Sequence, residues 1–281
     1  MLRRYQISTL APYINWCYFH FAWKVKADSD EGRRLRRDAD AMLNRFDRHY
    51  GASGVVELFR CNSDGDDIVL EHPTDCPCCA MNPREIMRLP MLRQQQPDND
   101  GYCRCLSDYI RPKGSMLQDT IGVFATSVDA EMQELYSDDD MYNKMLAQTL
   151  SDRIAEAAAE CLHEEVRKSI WGYAPDEDLT MEQLYSEQFE GIRPAVGYPC
   201  LPDMSLNRLL DELIDYSNVG VTLTDNCMMR PHSSVSGLMI RHPKASYFSV
   251  GHIDAEQLAD YASRRKMPIG EMRKFLVGNL M

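Results

Sequence analysis

Apolar positions recur at helical spacing over several stretches of the chain. Leu35, Ala39, Met42, Leu43 and Phe46 fall three or four apart, with arginines between them, and predict an amphipathic helix over residues 30–50 that Gly51–Gly54 ends. The longest such signal covers residues 138–171, where Met145, Leu146, Leu150, Ile154, Ala157, Ala158, Cys161, Leu162 and Val166 form a wide buried stripe. Helices are also predicted over 205–216, with Ser205 as N-cap, and over 254–266 and 268–276. Thr180 and Gln183 have capping-box spacing at the head of a short helix over 180–188. The aromatic-rich segment 11–26 predicts a buried helix start or packed opening segment.

Strand patterns lie between these helices. Residues 55–60 and 67–71 predict a hairpin around Asn62–Asp66, and residues 120–128 predict a core strand containing Gly122. Residues 219–224, 237–241 and 246–253 predict further strands, the last two joined by a turn at His242–Ala245. Residues 72–101, rich in Pro, Gln and Cys, predict irregular chain. Strands and helices do not alternate strictly, so the pattern predicts an α+β fold with mainly antiparallel pairing rather than a doubly wound sheet.

Composition narrows the function. At 281 residues, 44% hydrophobic and 26% charged, the chain can bury a proper core. Its 31 basic and 43 acidic residues give a net charge of −12, which argues against nucleic acid or an anionic membrane as the main partner. No apolar run reaches the roughly 20 residues that span a bilayer, and the N-terminus has no clean apolar signal core. Ten cysteines without a secretory signal predict reduced thiols and a cytoplasmic location.

The most informative segment is residues 190–203, which holds Arg193, Pro194, Gly197, Tyr198, Pro199 and Pro202. No helix or central strand tolerates such punctuation, so a stiff loop is expected. Pro194 pushes Arg193 toward extended backbone, and Gly197 permits angles or close approaches closed to other residues. The loop either presents one guanidinium, one ring and bare backbone to a small ligand with an anionic and a flat end, or it is a proline-rich connection between helices.

Other candidates are weaker. Cys76, Cys78, Cys79, Cys103 and Cys105 could hold zinc, although only Cys76 and Cys79 have the usual two-residue spacer. Unliganded loop thiols are the competing reading. Asp47-Arg48-His49-Tyr50-Gly51 grazes a cobalamin-ligating pattern, but its glycine falls one position early. His163 between acidic neighbours could titrate or simply pack. No glycine-rich dinucleotide fingerprint follows a predicted strand, and no catalytic residue can be assigned.

Asp152–Ala157, His163–Lys168, Trp171-Gly172-Tyr173-Ala174-Pro175, Gly191–Pro199, Ser233–Gly237, His242-Pro243 and Ser246-Tyr247-Phe248 stand in a characteristic order and spacing. Together they resemble the C-terminal reactivation (activation) domain of cobalamin-dependent methionine synthase. The resemblance runs nearly from end to end, strongest over 139–281 and weakest over 71–100. It implies an α+β, C-shaped single domain (residues 1–281) with a bent, mainly antiparallel sheet flanked by helices. It also implies S-adenosylmethionine (AdoMet) as the bound cofactor and methyl donor, used with an electron from flavodoxin or a similar flavoprotein to restore methylcobalamin from cob(II)alamin. Cobalamin itself would sit on a partner module. The chain would then be part of a methyltransferase and not self-sufficient, expected as a stand-alone reactivation subunit or an excised fragment.

By the same resemblance, Arg193 would hold the AdoMet carboxylate, Gly197 and Tyr198 would form wall and floor, and Tyr247 and Phe248 would add backbone and ring contacts. Glu156 and Glu187 match acidic positions near the groove. Two positions depart from the family pattern. Asn15 in Tyr13-Ile14-Asn15-Trp16 replaces an Asp that helps hold the positive end of AdoMet, and Met204 replaces a histidine used in contacts between modules. Such drift leaves open a non-catalytic AdoMet-sensing or protein-interaction module built on the same fold.

Overall fold

The structure, a computed structural model, describes residues 1–71, 85–136, 138 and 140–280. In chain order the elements are β1 (Leu2–Gln6), α1 (Ile7–Leu10), α2 (Trp16–Ala22), α3 (Asp30–Phe46), β2 (Gly51–Asp64), β3 (Asp67–Glu71), β4 (Glu85–Pro90), β5 (Asp119–Val128), α4 (Ala130–Glu134) and α5 (Met141–Glu165). They continue with α6 (Met181–Tyr185), α7 (Leu206–Ile214), β6 (Thr222–Leu223), β7 (Met229–Arg230), β8 (Ser234–Ile240), α8 (Ala255–Arg264) and α9 (Ile269–Phe275). The main sheet has the order β4-β3-β2-β5-β8, with β1 added on β2. The pairs β1–β2, β2–β3, β3–β4 and β6–β7 are antiparallel. The fold is α+β, as the mixed order of patterns predicts.

Several expectations require correction. Gly51–Gly54 do not terminate a helix; they open β2 and pair with Gln6–Arg3. A methyl group on Gly51 would lie 2.4 Å from the Tyr5 carbonyl oxygen, so bare α-carbons serve close strand pairing there. Glu85–Pro90, expected to be irregular, forms β4 against β3, with Pro90 at its last position where a missing N–H is tolerated. Residues 246–253 do not form a strand, because their backbone and neighbours bond to loops instead of a ladder. Met145, placed on the buried stripe, is half exposed.

Chain contacts divide the molecule into two compact units. The first comprises residues 1–56, 124–189 and 214–236, and the second comprises 57–123, 190–213 and 237–281.

The first unit is organised on α5. Its stripe of Leu146, Leu150, Ile154, Ala157, Ala158 and Leu162 is fully buried, and Leu162 lies 3.2 Å from where a Gly54 side chain would begin. Burying its leucines and isoleucine is a main stabilising term, since each contributes about 1.5–3 kcal/mol. Thr126 donates to the Ala155 carbonyl at 3.1 Å. At the far end of α5, the N-terminal segment is tied down by Arg3 and Tyr5 on Glu165 and by Tyr13 on Glu164. Burial, reinforced by these carboxylates, pushes both tyrosine hydroxyls far above their ordinary pKa. The helix then passes into a π-helical turn, Val166–Ile170. That turn carries Arg167, which has no exposed surface, makes a bidentate pair with Glu177 at 2.7–3.0 Å and lies over the Phe189 ring at 4.2 Å.

The second unit is cross-tied by arginines. Arg88 spans Asp64, Asp67 and Glu85, and Arg93 bridges Asp66 and Asp108. Arg264 reaches from the end of α8 to Asp67 and the Met91 carbonyl. Among the described residues no helix is long and apolar enough to cross a membrane.

Breaking a buried ion pair by removing one partner leaves an uncompensated charge. Glu177→Gln is therefore expected to lower the unfolding free energy by about 3–5 kcal/mol, measured by urea denaturation. Pairing it with Arg167→Met should recover most of that loss.

Candidate functional site

The proline-rich segment folds as a stiff loop tied along one strand. Ile192 exchanges both backbone hydrogen bonds with Ile240 at 2.9 Å, and Leu238 donates to the Pro194 carbonyl at 3.0 Å. Residues 192–195 thus run antiparallel beside Gly237–Ile240 of β8. Two glycines permit this. A methyl on Gly237 would lie 2.2 Å from the Pro194 oxygen, and one on Gly191, at φ +95°, would lie 2.4 Å from the Ile240 oxygen. The first half of the loop is thus paired to a strand of the sheet.

Beyond Pro194 the chain turns sharply. Tyr198 donates to the Ala195 carbonyl, Gly197 donates to the Leu201 carbonyl at 2.8 Å, and Leu201 donates back to Tyr198 at 2.8 Å. Gly197 adopts φ +90°, a region open to glycine without strain. The outcome is a tight Tyr198–Leu201 turn, with the exposed backbone of Gly197 at its base and a Tyr198 side chain that is 50% exposed. Met204, standing where the family pattern has histidine, puts its sulfur 2.7 Å from the position of a Gly197 Cβ. Its thioether is therefore a packing support for the turn.

The segment carrying Tyr247 and Phe248 is held against this loop. The Tyr247 hydroxyl accepts the Arg193 backbone N–H at 2.9 Å, and Val250 donates to the Pro199 carbonyl at 2.9 Å. Gln94 donates to the Ser249 carbonyl, and Tyr109 donates to the Ser246 carbonyl. These loop partners take the bonds that a strand ladder would have used. Arg193 is half-buried, Tyr247 is 38% exposed, and Phe248 turns into the core. Unit two thus brings Arg193, Gly197, Tyr198, Tyr247 and Phe248 together.

Asn15, Glu156 and Glu187 belong to unit one. Asn15 is the N-cap of α2: its Oδ1 accepts from the Cys17 and Tyr18 amides at 3.1 and 3.3 Å. With the oxygen so committed, the amide NH2 is the other polar group that Asn15 offers. Tyr185, which the sequence reading missed, donates to the Pro12 and Ile14 carbonyls at 2.9 Å and so ties α6 beside Asn15. Its hydroxyl pKa is raised by burial, then by Glu160 and Cys17. Glu156 is half-buried one helical turn before Glu160. Glu187 is exposed just beyond α6 at φ +55°, where its N–H bonds back to Leu184.

Of the remaining candidates, only some lie among the described residues. Cys76, Cys78 and Cys79 lie outside the described residues. Cys105 is buried, accepts from Ser107, and has its pKa pushed up to about 11 by burial, which keeps it a thiol. Among the described residues no group of three or more His, Cys, Asp or Glu could hold a metal ion. His163 is fully buried with its ring edge-on to Phe189, a packing role.

The family described as "Vitamin B12 dependent methionine synthase, activation domain" matches residues 6–266. Among solved structures, the chain is similar to the one described as "Crystal Structure of the MetH Reactivation Domain bound to AdoHcy". That likeness has a TM-score of 0.92 and 36% sequence identity, and covers 100% of this chain and 90% of the other.

Two outcomes follow from the local geometry. Gly237→Ala should force residues 193–195 off β8, read as a loss of about tenfold or more in hydrogen-exchange protection at Ile192, Leu238 and Ile240. Asn15→Ala should destabilise by about 1 kcal/mol through loss of the α2 cap, whereas Asn15→Asp, an equally good cap, should leave the denaturation midpoint close to wild type.

Proposed function

Because the chain belongs to the activation-domain family of vitamin B12-dependent methionine synthase, we propose that it binds AdoMet and presents it for reductive remethylation of cob(II)alamin carried on a separate module. The observation that carries this reading is the locked loop around Arg193. Backbone pairing to β8 on one side and the Tyr247 hydroxyl on the other hold it, beside an exposed ring and a bare glycine.

That surface fits the ligand's chemistry. A guanidinium is suited to a carboxylate, the Tyr198 ring to a flat heterocycle, and the Gly197 backbone to close approach. A solved relative is described as bound to AdoHcy, which shares the amino-acid and adenosine ends of AdoMet. Arg193 is assigned to the carboxylate, Gly197 and Tyr198 to the wall and floor, and Tyr247 and Phe248 to the loop's backing, Phe248 through its backbone. The part of Asn15, Glu156 and Glu187 in binding rests on the resemblance alone. When bound, AdoMet supplies the methyl group; this chain's residues bind and orient it. A flavodoxin-like flavoprotein is the proposed electron donor.

One observation favours the second reading, a sensing or interaction module. Asn15 spends its oxygen on the α2 cap, and its remaining amide group is a donor, ill-suited to a cationic partner. Restored methylcobalamin in a mixture of this chain, a cobalamin module and a reduced flavoprotein would remove that reading.

The primary test is calorimetric titration with AdoMet. Wild type should bind, and Arg193→Ala should weaken binding by about 10–100-fold, the loss expected for one charge-assisted contact. No AdoMet heat from the wild-type chain, with or without a cobalamin partner, would sink the proposal.

A further inference from the structure

The loop that carries Arg193 ends on a buried acid that neither its punctuation nor its exposed groups account for. Asp203 is wholly buried. Its Oδ1 accepts the Ser205 amide at 2.8 Å, and its Oδ2 accepts the Tyr261 hydroxyl at 2.9 Å. Arg265, only 3% exposed along its side chain, faces the same Oδ2 with Nε at 3.5 Å and donates through Nη2 to the Ser205 hydroxyl at 2.8 Å. Tyr261 and Arg265 are four residues apart at the end of α8, so one helix face supplies both. The Nε and Nη1 of Arg265 make no hydrogen bond. A buried guanidinium so poorly satisfied is weak evidence for stability, and such groups are better explained by the geometry they impose.

That geometry reaches the turn directly. Two residues before Asp203, Leu201 both accepts from Gly197 and donates to Tyr198. One residue after it, Met204 lays its sulfur against Gly197. Moving Asp203 therefore moves both supports of the turn at once.

We propose that Asp203, clamped by Tyr261 and Arg265, is a positioning residue that sets the Gly197–Tyr198 turn and hence the AdoMet-facing surface; this rests on the AdoMet reading above. Asp203 is wholly buried and presents no surface to a ligand. It acts by fixing where Leu201 and Met204 stand.

The test uses the full chain, AdoMet as probe, and three variants: Tyr261→Phe, Asp203→Asn, and Asp203→Asn with Arg265→Met. The double variant removes the unpaired buried charge that Asp203→Asn alone would leave, so it keeps the question open if the single variant fails to fold. The expected result is a thermal midpoint near wild type for Tyr261→Phe and for the double variant. Their AdoMet Kd should rise nonetheless, by about threefold for Tyr261→Phe and about tenfold or more for the double. Amide exchange at Gly197 and Leu201 should accelerate in both without ligand present. Folded variants with Kd within about twofold of wild type, or with unchanged exchange at Gly197 and Leu201, would overturn the proposal. Failure of wild type to bind AdoMet would overturn the functional reading instead, and the exchange measurement would still decide the clamp.

Discussion

The placement of the Arg193 loop depends on the absence of a side chain at position 237. With a hydrogen there, Pro194 and Ala195 lie directly on β8, and backbone bonds from Ile192 to Ile240 and from Leu238 to Pro194 close around it. Every later feature of the loop inherits that placement. Arg193 sits inside the paired stretch, so its backbone is fixed before any ligand arrives. Preorganisation of this kind lowers the ordering cost of binding. It also explains why proline is tolerated at 194: its missing N–H is not required, while its carbonyl accepts from Leu238.

A loop held only by its own turns would be free to rock about its first residues. Here a second segment prevents that. Tyr247 takes the Arg193 amide, and Pro199 takes the Val250 amide, so the 246–250 stretch backs the loop at both ends. That stretch is in turn held by Tyr109 and Gln94 from elsewhere in the same unit. The arrangement replaces a regular strand with side-chain-to-backbone bonds. Such bonds satisfy the backbone as a ladder would, and they leave the segment free to follow an irregular path.

Legibility in the sequence follows the range of the interactions involved. The α5 stripe and the Thr180–Gln183 capping box are local, and both stand where the spacing placed them. Residues 246–253 have the alternation of a strand, yet whether a strand forms depends on what lies alongside, which alternation does not encode. Gly51 and Gly54 carry the composition of a helix stop and serve instead for close strand pairing and packing on Leu162. In the Arg193 loop, the extended path before Pro194 and the positive φ of Gly197 were legible because proline and glycine act on their own neighbours. The hydroxyl of Tyr247 and the acid at Asp203 were not, because their partners lie 54 and 58 residues away.

The two buried arginines show how differently such groups can be used. Arg167 is matched by a bidentate carboxylate and a ring face, and its Nη1 alone is left without a hydrogen bond. It closes the π-helical turn and has no ligand-facing neighbour among the residues discussed. Arg265 has one carboxylate at 3.5 Å, one hydroxyl, and two nitrogens without hydrogen bonds. Had stability alone shaped both, the looser pair would be the easier one to replace with packed apolar side chains. It holds the acid two residues beyond Leu201, which bonds to both Gly197 and Tyr198, and there position counts for more than net stability. An apolar contact can slide, whereas a carboxylate shared by a tyrosine, a backbone amide and a guanidinium has one position. The bare backbone at Gly197 needs that kind of fixation, since it has no side chain of its own with which to adjust.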